Sequence, residues 1–164
     1  MYYIKLNEKM EIFKAGIDDN EVLTTITKKS KAYWGFSENI LKEWEGLLTV
    51  TKSYIEINEV YKLVQDDQII GYYSYFSIDE YTIKLDNIFI LPEFIGKGFG
   101  KILMNDFLKN IRQLGINKIT LDAEPNAEKF YKMFGFETIG QLESSIKERY
   151  LPIMELQIEK KINS

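Results

Sequence analysis

Along residues 60–114 the apolar pattern changes period once, and it does so across a loop of closely spaced glycines. Before the loop, Val60–Val64, Ile69–Ser77 and Tyr81–Ile90 are short runs rich in aromatic and β-branched residues, separated by Asp66-Asp67 and Asp79-Glu80. Such runs, broken by acidic turn dipeptides, predict an antiparallel meander whose short connections are cheap to close. After the loop, Phe99, Ile102, Leu103, Phe107, Leu108, Ile111 and Leu114 recur at helical spacing, and Gly115 stands where a helix stop belongs. The order strand, loop, helix confines the chain to folds that pack helices on a sheet.

The flanking segments extend this pattern. Met10–Ala15 predicts a first strand, and Asp18 or Asp19 is placed to cap a helix running to about Lys29. Ser37 is placed to cap a second helix to about Leu47, while Tyr54–Asn58 reads ambiguously. Lys118–Leu121 predicts a short strand, and Pro125 suits the first turn of a helix with Ala127, Phe130, Tyr131 and Phe134 on its apolar face. Gly135 ends that helix, and Phe136–Gly140 and Pro152–Ile158 predict the last two strands. The sum is an α+β domain: a meander, two strand–helix units and a closing hairpin with a long connection. A length of 164 residues suits a single domain, taken as residues 1–164, and no repeat or low-complexity linker divides it.

Two absences narrow the chemistry. With no cysteine and no histidine, the chain has no disulfide framework, thiolate nucleophile, Cys/His zinc site or Ser-His-Asp triad. No metal is expected. Acid–base work falls to Asp, Glu, Lys, Tyr, a terminus or water. The formal net charge of -4 argues against a phosphate-backbone binder, so nucleic acid is not an expected partner. Met1-Tyr2-Tyr3-Ile4-Lys5 has neither a long apolar run nor a small-residue cleavage site, and no stretch approaches the ~20 apolar residues of a membrane span. A soluble cytoplasmic protein without a membrane partner is expected.

The loop itself reads Ile95-Gly96-Lys97-Gly98-Phe99-Gly100-Lys101 and follows the strand residues Ile88-Phe89-Ile90. A helix opening on such a loop aims several N–H groups at one place and adds about half a positive charge at its N-terminus. Glycine keeps a Cβ from obstructing an anion, and Lys97 and Lys101 add positive charge to an acidic chain. The physical reading is a phosphate or pyrophosphate cradle; a plain turn is the alternative. Neither the dinucleotide fingerprint G-x-G-x-x-G nor the P-loop pattern is present.

The loop resembles the pyrophosphate loop of the GNAT N-acyltransferase superfamily, Q/R-x-x-G-x-G/A, departing from it only at Ile95. Asn126-Ala127-Glu128-Lys129-Phe130-Tyr131-Lys132-Met133-Phe134-Gly135-Phe136 resembles the family's N-x-x-A-x-x-F/Y-Y-x-x-x-G-F segment, with Ala127 displaced to follow Asn126 directly. The element order resembles the family fold from Met10 to Ile158. The resemblance implies a mixed, mostly antiparallel sheet with splayed middle strands and about four flanking helices. It also implies acetyl-CoA as cosubstrate, with the pantetheine arm on backbone groups of Ile88 and Ile90 beside Phe89. The diphosphate would lie on Gly96, Gly98, Gly100 and Lys101, with Ile95, Lys97 and Phe99 completing the cofactor-binding loop, Asn126 on the arm and Tyr131 near the thioester sulfur.

The expected activity is transfer of the acetyl group to a primary amine by direct attack; a non-catalytic acyl-CoA-binding or regulatory module on the same fold is the alternative. An alkyl amine with a pKa near 10.4 must lose a proton before it attacks. Asp86, on the strand leading to the cofactor, is the candidate base, ahead of Glu80 and Glu124, with a solvated strand carboxylate as the plainer reading. Tyr131 is the candidate acid for the leaving thiolate, with a core tyrosine as its alternative. Tyr33 and Trp34, between the first two helices, are implied to line the acceptor cleft, where aromatics suit an apolar or aromatic acceptor, with core packing as the alternative; Arg149 is a candidate for an acceptor carboxylate, a surface arginine being the other reading. The acceptor is a small molecule or peptide, and a homodimer is allowed.

Overall fold

The computed structural model describes residues 9–159 except 145, 147 and 148. The leader reading at residues 1–5 and part of the connection 144–152 therefore lie outside the described residues. Seven strands form one mixed sheet in the order β1-β2-β3-β4-β5-β7-β6. They are β1 (Met10–Lys14), β2 (Glu59–Gln65), β3 (Gln68–Ser77), β4 (Thr82–Ile90), β5 (Lys118–Asp122), β6 (Glu137–Glu143) and β7 (Tyr150–Gln157). The helices are α1 (Asn20–Tyr33), α2 (Glu38–Glu43), α3 (Glu45–Leu48), α4 (Lys52–Ile57), α5 (Phe99–Arg112) and α6 (Glu128–Met133). The chain divides into two compact units: residues up to Ser74 with Asn87–Leu108, and Tyr75–Asp86 with residues from Lys109 onward.

In the first unit β1 pairs antiparallel with β2, from Met10↔Gln65 to Lys14↔Tyr61. Asp66 and Asp67 join β2 to β3 with φ of 48° and 63°. Two left-handed residues in a two-residue loop match the right-handed strand twist, which fixes the hairpin register. β3 is buried almost throughout because both its faces are covered. Its adjacent tyrosines alternate across the sheet. The Tyr72 hydroxyl meets Thr27 Oγ1 on α1 at 2.6 Å, and Tyr73 donates to Asp106 Oδ2 on α5 at 2.7 Å. Leu23, Ile26, Leu63, Ile70, Leu103, Met104 and Phe107 fill the core around them, each contributing about 1.5–3 kcal/mol for a fully buried large apolar side chain.

In the second unit β4 and β5 pair in parallel from Thr82↔Lys118 to Lys84↔Thr120. β5 pairs antiparallel with β7, and β7 with β6, whose register shifts between Thr138 and Gly140. Ile83, Ile111, Ile119, Leu121, Phe136 and Met154 are its core. Gly115 and Gly135 take left-handed φ of 70° and 96° just beyond α5 and α6, as helix-terminating glycines do.

The mixed sheet agrees with the expected α+β fold; the helices differ, six among the described residues rather than about four. Asp19 does not cap α1 through its side chain. It accepts instead from Gly16 N–H and from Lys62, both at 2.8 Å, and α1 runs on to Tyr33. The expected second helix is interrupted at Trp44, whose φ and ψ of -89° and 2° are not helical. Ser37 does cap its first part, accepting from Ile40 N–H at 3.3 Å. The ambiguous stretch is helical, as α4, capped by Thr51 accepting from Tyr54 N–H at 3.0 Å. Pro125 opens a 3-10 turn, Pro125–Ala127, rather than α6 itself.

Candidate active site

The glycine loop begins with a 3-10 turn, Pro92–Phe94, whose end is held by Ile95 N–H on the Pro92 carbonyl at 3.2 Å. Gly96 and Gly98 then adopt φ of 81° and 88°, and α5 starts at Phe99. A Cβ built on either glycine meets nothing within 4 Å. These glycines therefore serve the left-handed backbone path rather than relief from crowding inside the protein. The open space in front of them is what a ligand would need. Ile102 N–H returns to the Gly98 carbonyl at 3.3 Å, and the earlier amides of the first helical turn have no intrahelical acceptor. Lys97 and Lys101 are exposed, with the Lys97 ammonium 5.7 Å from the centre of the Phe94 ring. Phe94 meets Phe99 edge to face at 5.7 Å, bracing the loop. The arrangement fits an anionic group bound by backbone N–H donors and two exposed cations.

On β4, Ile88 and Phe89 are half-buried, Ile90 is buried and Asp86 is exposed. Leu91 N–H donates to the Ile70 carbonyl at 2.8 Å, which ties the end of β4 to β3. Sequence reasoning missed two features here. Gly71 faces Phe89 and Ile90 at a separation that leaves no room for a side chain; an isolated glycine inside a strand pattern was the available signal. Asn87 Nδ2 donates to the Tyr54 hydroxyl at 3.1 Å and to Ser74 Oγ at 3.0 Å, while those two hydroxyls share a 2.8 Å hydrogen bond. No spacing in the sequence announces that cluster.

The remaining candidates lie in the second unit, on or near α6. Tyr131 is buried, its ring edge-on to Phe130 at 5.4 Å and Phe136 at 5.8 Å. Its ring is thus a core element, yet among the described residues its hydroxyl has no hydrogen-bond partner. Burial, and secondarily the negative charge of Glu124, push the phenol pKa far above its ordinary value. Asn126 is exposed on the 3-10 turn before α6. Arg149 donates to Glu124, both side chains being largely buried. That pairing commits the guanidinium to a carboxylate of the protein. Glu80 is exposed in the turn before β4. In the first unit Tyr33 and Trp34 are about half exposed at the end of α1 and meet edge to face at 5.1 Å.

Among the described residues no helix is long and apolar enough to cross a membrane, and no group of three or more Asp or Glu could hold a metal ion.

The chain belongs to the acetyltransferase (GNAT) domain family, whose model matches residues 35–159. It is 32% identical over 91 residues to the uncharacterized N-acetyltransferase ycf52 of Gracilaria tenuistipitata var. liui, covering 56% of this chain and 50% of that protein. It is 36% identical over 93 residues to the [ribosomal protein bS18]-alanine N-acetyltransferase of Haemophilus influenzae, covering 56% of this chain and 60% of that protein. The matched stretch thus spans half to three fifths of the length of these curated relatives. Among solved structures, the PaiA N-acetyltransferase of Thermoplasma acidophilum, in complex with coenzyme A, superposes with a TM-score of 0.75 at 21% identity, over 92% of this chain and 99% of that one. The ribosomal-protein-S18-alanine N-acetyltransferase of Escherichia coli gives a TM-score of 0.71 at 17% identity, over 94% and 97%. At that identity the superpositions establish the fold.

Proposed function

We propose that this chain is a single-domain, acetyl-CoA-dependent N-acetyltransferase that moves the acetyl group to a primary amine by direct attack. The observation that carries the proposal is the pair of left-handed glycines, Gly96 and Gly98, with open space before them at the start of α5, in a chain matched by the GNAT domain model. The first-turn amides with Lys97 and Lys101 would hold the diphosphate. The backbone of Ile88 and Ile90 would hold the pantetheine arm, flanked by Phe89 and met by Asn126. Ile95, Phe99 and Gly100 complete the loop.

The chemistry is balanced without a metal. The acceptor nitrogen, having lost a proton to Asp86 or to water, attacks the thioester carbonyl carbon. The C–N bond forms, the C–S bond breaks, and coenzyme A leaves as a thiolate; the nitrogen gives up its second proton as the amide forms, and that proton passes through water to the thiolate sulfur. A backbone N–H near Ile90 would stabilise the developing oxyanion. Tyr131 would offer its hydroxyl to the thiolate, and a phenol with its pKa pushed up keeps that proton available. Against a thiol near pKa 8.5, outright transfer from such a phenol is uphill, which favours a strong hydrogen bond to sulfur over early proton release.

The test is release of free thiol from acetyl-CoA across a panel of alkyl amines and an alanine-terminated peptide, the latter because one relative is a ribosomal protein alanine N-acetyltransferase. Amine-dependent thiol release is expected. Tight acetyl-CoA binding without turnover on any amine would favour the non-catalytic reading.

A further inference from the structure

Lys31 lies half-buried near the end of α1. Its ammonium stands 5.9 Å from the centre of the Phe36 ring, 5.8 Å from Trp44 and 5.7 Å from Phe89. Phe36 and Trp44 meet edge to face at 5.0 Å, and Phe89 continues to Tyr72 at 5.9 Å. A single cation–π contact at an exposed site would mean little. Here three rings converge on one alkylammonium, and they come from three segments: the loop after α1, the break between α2 and α3, and β4. An aromatic box of this kind is a recognition device for organic cations. Phe89 also lies between Ile88 and Ile90, the residues given above to the pantetheine arm.

We propose that Phe36, Trp44 and Phe89 form a subsite for a primary alkylammonium on an unbranched methylene stem, occupied by Lys31 until such a group displaces it. The lysine side chain is itself this chemical group, seated in the box. Exchange replaces like with like, the Lys31 ammonium moving out on its long stem as the ligand ammonium enters. An ammonium held against the rings stays protonated and cannot attack. The box therefore suits an acceptor with a second amine, one bound as the cation and the other reacting. The bound cation also lowers the pKa of its neighbour, which helps a site without histidine. The role of the box in acceptor choice rests on the acetyl-transfer reading; its binding of an alkylammonium does not.

The experiment is an equilibrium titration without cofactor or turnover, so its failure is distinct from failure of the thiol-release assay. Lys31→Ala vacates the box at a helical position that favours alanine. Adding Trp34→Phe leaves Trp44 as the remaining one of the chain's two tryptophans. Its fluorescence is followed at pH 7 and constant ionic strength against n-butylammonium chloride, with n-butanol as the uncharged counterpart. A saturable change with the ammonium is expected, at least about tenfold tighter than n-butanol and than the same cation on protein retaining Lys31. Lys31→Met, which fills the box without charge, should resist the probe as the Lys31 protein does. Equal binding of alcohol and ammonium, or no saturable response in a variant with native circular dichroism, would overturn the proposal. So would Lys31→Met binding as tightly as Lys31→Ala. Lys31→Ser is expected to give the same order as Lys31→Ala, and carries the test if the alanine variant does not fold.

Discussion

A Cβ on Gly71 would lie 2.7 Å from the carbonyl oxygen of Phe89 and 2.6 Å from Cδ1 of Ile90. The Ile90 methyl can rotate away, but the Phe89 oxygen is backbone, so a side chain on β3 here can be accommodated only by moving β4. Gly71→Ala should therefore cost about 1–3 kcal/mol, the usual penalty for overpacking a core. It should also weaken acetyl-CoA binding, because the Ile88 and Ile90 backbone moves with the strand. Thermal melting and calorimetry read the two effects. A variant that melts and binds as the parent does would show that the strands have slack at this point.

Gly98 poses the opposite case. Its φ is 88° and nothing lies within 4 Å of a built Cβ, so Gly98→Val is opposed by its backbone conformation and not by a protein neighbour. A β-branched residue held there costs about 1–3 kcal/mol, and the exposed loop can escape that cost by changing path. The core should survive with a small fall in Tm, while acetyl-CoA affinity falls at least about tenfold as the amides lose their common aim. Unchanged affinity by calorimetry would remove the cradle assignment.

What the sequence disclosed, and what it hid, follows from the range of the interactions. The Asp66-Asp67 turn, the aromatic and β-branched run of β3 and the spacing of α5 are local patterns, and each is legible in the sequence. The left-handed φ of Gly96 and Gly98 emerges only in the fold, but the glycine loop was legible as closely spaced glycines opening on a helix. The helicity of Tyr54–Ile57 was not. α4 is six residues long, too short to stand on propensity, and Tyr54 is held by Ser74 and Asn87 from other strands. Asp19 stands at the N-cap of α1 as expected, but its side chain goes to Gly16 N–H and Lys62, and the distant Lys62 cannot be seen from spacing. The box around Lys31 and the Arg149–Glu124 pair are tertiary in the same sense.

The raised phenol of Tyr131 makes a prediction about stability against pH. Unfolded, the group releases its proton near pH 10; folded, burial and Glu124 hold the proton well beyond that. The native state then binds more protons than the unfolded chain, so the contribution is intact below about pH 10 and lost as pH rises further. Melting curves between pH 8 and about 11 should fall more steeply for the parent than for Tyr131→Phe, since every other tyrosine is common to both. Parallel profiles would mean that the hydroxyl is better solvated than its burial indicates.

The same substitution separates the catalytic role of Tyr131 from its structural one. The ring packs against Phe130 and Phe136, and Phe retains that packing. The hydroxyl has no partner among the described residues, so removing it takes away no protein hydrogen bond. Stability near neutral pH should therefore hold, or rise by up to about 1 kcal/mol as a buried polar group is deleted. Acetyl-CoA affinity should also hold, because its proposed anchors are backbone groups of the loop and of β4. If the hydroxyl donates to the departing sulfur, kcat should fall about 10²-fold, near the lower end of the range for general-acid groups, because the phenol gives up its proton reluctantly. The expected result is a loss confined to kcat, with KM for acetyl-CoA and Tm near their parent values. Normal turnover in Tyr131→Phe would leave the tyrosine as a core residue alone. A large drop in Tm would show that the hydroxyl serves the fold.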